Sequence, residues 1–354
     1  MKLALNMIVK NEAHVIRRCL DSVRAHIACW TIVDTGSSDG TQDVIRSHLA
    51  DIPGTLYERP WRDFGSNRTE ALQLARGSAD YLFVMDADHV LRTRERFTFD
   101  GLTADGYLLQ HRYAGTEYGL PILLADRIDW RYVGVLHEYV TADLPHRFAT
   151  LDGAWIEVFH EGARSRDKET YRKDVAILRE ALAKEPGNAR YAFYLAQSLR
   201  DAGDIREARD AFRHRVTMQG WDEERWFAMY QTARLDEQLG EPPPLVQRAY
   251  LNAFAARPSR IEPLVELARH HRQQQEFALA YLYARHAAQI PRPASGLFID
   301  EAAYAWRALD EVGISAWYAG ARQEGLAAIK QLLAERRFPE SERARLEANL
   351  KTYA

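Results

Sequence analysis

The chain has 354 residues, 47% apolar and 27% charged, with 20 Gly and 13 Pro, a balance that suits two soluble globular domains and excludes disorder, collagen-like repeats and a disulfide scaffold. Its 47 Lys+Arg against 50 Asp+Glu give a formal charge of −3, so nucleic acid is not an expected partner. Cys19 and Cys29 are the only cysteines; they neither require an oxidising compartment nor suffice for a structural zinc site. Apolar runs such as Leu3 to Val9 and Tyr81 to Met85 fall far short of the ~20 residues that cross a bilayer. The first run, broken by Asn6 and Lys10 and lacking a small-residue cleavage site, reads as a strand and not an export signal. A cytoplasmic location is expected.

Up to about Arg164, short apolar runs alternate with helical patterns. Leu3 to Val9 is the first strand, and Val15, Ile16, Cys19, Leu20 and Val23 form one face of a first helix. Trp30 to Val33 follows as a strand, then a turn cluster from Asp34 to Thr41, then a helix carrying Val44, Ile45 and Leu49. A third strand is predicted near Thr55 to Glu58, a third helix near Ser66 to Ala75 and a fourth strand at Tyr81 to Met85. Such alternation implies crossover units and a mainly parallel, Rossmann-like sheet. Ligands bind such sheets beyond the carboxyl ends of the strands, where Asp34–Thr41 and Asp86–His89 fall.

From about Asp167 onward strand signals vanish. Gly203, Gly240 and Gly313 each follow an apolar helix, and a further turn is expected near Gln275. Leu195, Ala196, Leu199, Gly203, Ala208 and Phe212 have the small-and-large spacing of a tetratricopeptide helix pair. One pair cannot bury its own apolar face, so three to four stacked units are expected, the last degenerate. The predicted domains are therefore 1–166, α/β, and 167–354, an all-helical repeat array.

Met85-Asp86-Ala87-Asp88 extends the fourth strand with two carboxylates one residue apart. That pattern suits a hard divalent cation on a diphosphate, for which phosphate and water supply the remaining ligands. Lys10-Asn11-Glu12 and Asp34–Thr41 lie at the ends of the first two strands, where a nucleotide would meet the sheet. Turn and capping chemistry accounts for Gly40 and Thr41, with Ser38 or Asp39 available as a cap. It does not account for Asp34, which could accept from a base imide or a ribose hydroxyl. Arg68 opens a helix and could neutralise phosphate or clamp the base. His137-Glu138 and His160 cannot be joined to this set by spacing alone.

Taken together, Leu5-Asn6-Met7-Ile8-Val9-Lys10-Asn11-Glu12, Ile32 to Thr41 and Met85 to Asp88 resemble the nucleotide-sugar half of family 2 glycosyltransferases. Gly134-Val135-Leu136-His137-Glu138 and Phe159-His160-Glu161-Gly162 resemble a bacterial branch with a C-terminal tetratricopeptide array, which includes peptide S-glycosyltransferases that modify bacteriocin cysteines. The resemblance implies a GT-A fold, an inverting mechanism, and a UDP-sugar donor with Mn or Mg. It assigns Lys10, Asn11, Glu12, Asp34, Arg68, Asp86 and Ala87 to donor binding, with Asp34 at the nucleoside and Asp86 on the ribose side. Asp88 and His160 take the metal. One departure is that Ile122-Leu123-Leu124-Ala125 stands where relatives often carry Arg-Leu-Phe-Arg, with Arg127 displaced.

For inversion a carboxylate must take the acceptor proton; Glu138 is the first choice, with Asp126 and Glu117 in reserve. The acceptor is expected to be a peptide, a protein or a glycan, and the repeats to supply part of its surface or a homodimer interface. Two rivals stand beside this reading. One is a catalytically inactive scaffold that displays its repeats to protein partners. The other is a lipopolysaccharide-core or other cell-envelope transferase, to which Arg92, Arg94 and Arg96 would lend a basic patch.

Overall fold

The computed structural model describes residues 1–113 and 116–353 and divides into two compact units, Met1–Ala181 and Leu182–Ala354. The first opens with the predicted alternation: β1 (Leu3–Val9), α1 (Ile16–Val23), β2 (Cys29–Asp34), α2 (Thr41–His48), β3 (Gly54–Glu58), α3 (Phe64–Ala75) and β4 (Tyr81–Val84). It continues with β5 (His89–Thr93), β6 (Gly106–Tyr113), β7 (Thr116–Ala125), β8 (Arg131–Val133), β9 (Tyr139–Thr141) and β10 (Phe148–Val158). A short α4 (Ala163–Arg166) and α5 (Thr170–Lys184) follow. The predicted boundary after Arg166 falls between these two helices, whereas the compact unit runs on through most of α5 to Ala181.

The main sheet has the order β3-β2-β1-β4-β7-β6-β10-β5. Strand β1 pairs parallel with β2 and β4, β2 with β3, and β6 with β10. Strand β7 runs antiparallel between β4 and β6, and β5 is antiparallel to β10. The carboxyl ends of β1, β2, β4, β6 and β10 therefore share one end of the sheet. That end receives Lys10, Asp34, Asp86, Tyr113 and His160 together.

Alternation along β1 builds both faces. Leu3, Leu5, Met7 and Val9 join Ile16, Cys19, Leu20 and Val23 of α1 in one core. The i, i+3, i+4, i+7 spacing of those α1 positions makes a single apolar stripe. Ala4 points the other way, into a core with Leu72 and Ala75 of α3, Leu82, Val84, Trp130 and Val140. On that second face Asn6 is buried, its Nδ2 donating to the Ala71 carbonyl at 2.8 Å. The amide thereby meets its hydrogen-bond need and fixes β1 against α3. Helix α3 starts cleanly because Asp63 accepts from the Ser66 N–H at 2.7 Å, a side-chain cap.

The second unit is all helical: α6 (Ala189–Asp201), α7 (Ile205–Thr217), α8 (Asp222–Gln238), α9 (Pro243–Ala256), α10 (Glu262–Gln273) and α11 (Phe277–Ala288). A π-helical turn, Ala303–Arg307, then leads into α12 (Ala308–Tyr318), α13 (Arg322–Glu335) and α14 (Arg343–Thr352). Helices pack as consecutive hairpins, α6 on α7, α8 on α9, α10 on α11 and α12 on α13, the tetratricopeptide-like stacking expected. Gly203, Gly240 and Gln275 turn the first three, each with positive φ. Gly313 does not turn the fourth. It lies inside α12, where a Cβ would come within 2.7 Å of Ile329 Cγ1, and Gly320 makes the turn at φ +80°. A helix-packing glycine and a turn glycine look alike in one sequence. Among the described residues no helix is long and apolar enough to cross a membrane.

Candidate active site

The loops at the carboxyl end of the sheet are tied to one another by backbone-to-side-chain bonds. After β1, the Asn11 N–H donates to Ser37 Oγ at 2.8 Å and its Oδ1 accepts from the Ser38 N–H at 2.8 Å. The Glu12 N–H donates to Thr41 Oγ1 at 2.8 Å, and Thr41 donates in turn to Asp39. The N-cap position of α2 is Gly40, and of the two expected capping side chains Asp39 accepts from the Thr41 N–H at 3.1 Å. Lys10 is exposed beside these contacts. Asn11, His137 and His160 all hold left-handed backbone, an unfavourable conformation for non-glycine residues that collects at working sites.

Asp34 is 1% exposed at the end of β2. Its Oδ1 accepts from the N–H groups of Gly36 and Ser37, at 2.9 and 2.8 Å, and from Gln42 Nε2 at 3.1 Å. Gly36 permits this turn because its φ is +104°. The other oxygen, Oδ2, is buried with no hydrogen-bond partner. A buried carboxylate oxygen without a partner is costly, and this one is left with its acceptor capacity unused.

Asp86 and Asp88 differ sharply. Asp86 Oδ1 accepts from Arg68 Nη2 at 2.5 Å, and Arg68 Nε donates to Glu138 Oε1 at 2.7 Å. Burial opposes ionisation of Asp86, yet the Arg68 charge, aided by His89, outweighs it and holds the carboxyl at about 2. Burial would weaken the Arg68 cation, but Asp86 and Glu138 more than compensate and raise its pKa. Glu138 reaches this place because α3 runs hard against the loop after β8: a Cβ on Gly65 would lie 2.3 Å from the Gly134 carbonyl oxygen. Asp88 Oδ2 instead accepts from the N–H groups of Glu161 and Gly162, both at 3.1 Å. Ala87 turns its side chain into the core, which leaves only its backbone available to a ligand.

Glu12 completes an oxygen-rich group, accepting from the Ala163 N–H at 3.1 and 3.2 Å. Burial, opposed by that N–H and reinforced by the charges of Asp88, Asp86 and Asp39, lifts its pKa to about 7. Among the described residues no three His, Cys, Asp or Glu side chains form a ready-made metal cage. His160 stacks on Tyr113 with centroids 4.1 Å apart. The carboxylates nonetheless fit a hard cation whose other ligands come from a diphosphate, since their mutual repulsion is what such a cation relieves.

Of the reserve bases, Asp126 falls away. Asp126 accepts from the Gly77 N–H at 2.7 Å and lies where β7 ends against the start of β4, the opposite end of the sheet. Glu117, near the start of β7, pairs with Arg112 at 2.9 Å. Within Ile122 to Ala125, Leu123, Leu124 and Ala125 pair with β4, and Arg127 pairs with Asp105. Arg92 of the basic segment is paired with Glu157.

Sequence reasoning missed an aromatic wall beside the carboxylates. His111 is fully buried, stacks on Tyr118 at 5.5 Å and meets His89 edge-on at 5.3 Å. Tyr118 is close enough to Asp86 and Asp88 for burial and then their charges to raise its pKa. Cys19 also touches the site, its Sγ donating to the Asp86 carbonyl at 3.4 Å. Only the alternation of His111 and Tyr113 along β6 hinted at this wall.

Residues 5–95 match the Glycosyl transferase family 2 model, a span that includes Glu12, Asp34, Arg68, Asp86 and Asp88. Over 231 residues the chain is 24% identical to the SPbeta prophage-derived glycosyltransferase SunS of Bacillus subtilis, covering 59% of this chain and 52% of that relative. The chain thus spans about half the length of SunS. It is also 28% identical over 312 residues to a TPR repeat-containing protein of Synechococcus elongatus, covering 81% of this chain and 75% of that one. The chain therefore carries an N-terminal segment similar to family 2 glycosyltransferases, followed in sequence by an array of tetratricopeptide-like helix hairpins.

Proposed function

We propose that this protein is an inverting glycosyltransferase that moves a sugar from a UDP-sugar to a peptide, protein or glycan acceptor with the help of Mn or Mg. The observation that carries this reading is the buried, unpartnered Oδ2 of Asp34, set at the same sheet end as the Glu12, Asp86 and Asp88 carboxylates. A uracil imide N–H is a donor of the right kind for that oxygen. Asp86 serves the ribose side, and Lys10, Asn11 and Glu12 frame the nucleotide from the β1 loop.

Asp88 and His160 are the residues that would hold the cation, which supplies Lewis acidity to the departing diphosphate. Glu138 takes the acceptor proton. Arg68 links the two halves of the chemistry, because one guanidinium bridges Asp86 and Glu138. A diphosphate competes for that guanidinium, and loosening the Arg68–Glu138 pair frees the carboxylate to act as base. Arg68 thereby keeps Glu138 oriented before the donor arrives.

Asp88→Ala should abolish turnover of a UDP-sugar panel with Mn while the variant keeps its circular dichroism and melting profile. Undiminished turnover in that variant would refute the assignment of the metal.

A further inference from the structure

The second helices of the hairpins, α7, α9, α11 and α13, carry outer faces of two kinds. On α7 the exposed positions include Arg206, Glu207, Asp210 and Arg213, and on α13 they include Arg322, Gln323, Glu324 and Lys330. Both are ordinary solvated faces of mixed charge. The two helices between them differ. On α9 Leu245 and Leu251 are 56% and 37% exposed, and on α11 Leu279 and Leu282 are 41% and 56% exposed. Ala255, Ala256 and Ala278 are exposed among them. Neither helix contains an Asp or a Glu.

These two faces adjoin. Helix α10 packs on both α9 and α11, and Phe254 of α9 meets His286 of α11 edge-on with ring centroids 5.7 Å apart. Leu251 and Leu282 each lie about one helical turn before that contact, so they stand at one level on neighbouring helices. Single exposed leucines are ordinary, but four on adjoining faces make a patch. The charge around the patch has one sign. Arg248 is exposed and has no carboxylate partner among the described residues, and His286 adds a second basic group. Arg285 is paired, with Glu324 of α13 at 2.8 Å.

We propose that the outer face of α9 and α11 docks on an anionic lipid bilayer. Leucines flanked by arginine, with no carboxylate on either helix, have the chemistry of an interfacial surface: the apolar side chains enter the acyl boundary and the cations lie among headgroup phosphates. The chain as a whole has a formal charge of −3, so a basic apolar face within it is a local inversion that complements a negative surface. A second copy would set two such faces together with no acidic residue from α9 or α11 to neutralise them, which disfavours self-association there. The inference rests on the helical unit alone and stands whatever the N-terminal unit transfers.

Vesicle flotation with the full chain tests it. The probes are vesicles of phosphatidylcholine alone and vesicles of phosphatidylcholine with one-third phosphatidylglycerol. The chain should float with the anionic vesicles and not with the neutral ones, and added salt should weaken the association. Binding should fall at least tenfold in the double variant Leu251→Asp/Leu282→Asp and about fivefold in Arg248→Gln. All three positions are exposed, so the variants should melt as the wild type does, and Arg248→Gln leaves the leucines in place as an independent reading. No flotation with anionic vesicles, equal flotation with neutral ones, or binding unchanged in the double variant would overturn the proposal. So would a dimer, seen by light scattering, that the double variant abolishes, since a second copy would then own the face.

Discussion

Arg68→Met probes the bridge between the acidic strand end and the base. Met keeps most of the side-chain volume in α3 but removes the ion pairs to Asp86, at 2.5 Å, and Glu138, at 2.7 Å. The Asp86 carboxyl is depressed from 3.8 to about 2, which corresponds to about 2.5 kcal/mol. Because 41% of that side chain meets solvent, about 1 kcal/mol is the better figure. Glu138 is 12% exposed, and stranding its charge without a partner costs about 2 kcal/mol. The variant should therefore lose about 3 kcal/mol, of which Glu138→Gln in the same chain should recover about 1 kcal/mol.

The pH dependence follows from the direction of the Asp86 shift. A carboxyl with a lowered folded pKa contributes stability that is present in full above its unfolded value of 3.8 and is lost as pH falls toward 2. That part of the acid sensitivity should be missing from Arg68→Met. Equilibrium urea unfolding of the full chain at pH 7 and pH 3, followed by tryptophan fluorescence, measures both effects. A loss below about 0.5 kcal/mol, within the range of an ordinary surface change, or the same acid slope in both proteins would refute the reasoning.

Burial, with His89 nearby, lowers the His111 pKa from 6.5 to about 4, so between those values the unfolded chain binds a proton that the folded one refuses. Stability should fall by up to about 3 kcal/mol as pH drops through that window, and His111→Phe should remove this slope; an unchanged slope in urea titrations would count against a buried neutral imidazole. Gly313→Ala should lower stability by about 1 kcal/mol, the clash with Ile329 outweighing the better helix propensity of Ala. The control Gly187→Ala, where a Cβ meets nothing within 4 Å, should melt like the wild type. Equal melting of both variants would show that α12 and α13 do not pack through Gly313.

The parallel half of the sheet was legible because its strands are buried on both faces and read as unbroken apolar runs, as in Leu3 to Val9 and Tyr81 to Val84. The later strands carry no such signal. β10 sets partly buried residues against exposed ones up to Asp152 and against buried ones only from Ala154 on, with a register shift between Thr150 and Trp155, and β7 contains Pro121. Strand direction is a property of pairing, not of composition. Asp126 therefore looked like a candidate base although β7 carries it to the far end of the sheet. The carboxylates of the site could be read from their positions after apolar strands. Their partners could not, since Arg68, Asp86 and Glu138 meet only because Gly65 lets α3 approach the Gly134 loop.

The most direct measurement is a calorimetric titration of UDP into the full chain with and without Mn, repeated with Asp34→Asn. An amide in place of the carboxylate would turn a donor or a weaker acceptor toward the imide. The account predicts binding that strengthens with Mn in the wild type and falls at least tenfold in Asp34→Asn. Absence of UDP binding in the wild type, or an affinity that Asp34→Asn leaves unchanged, would contradict it.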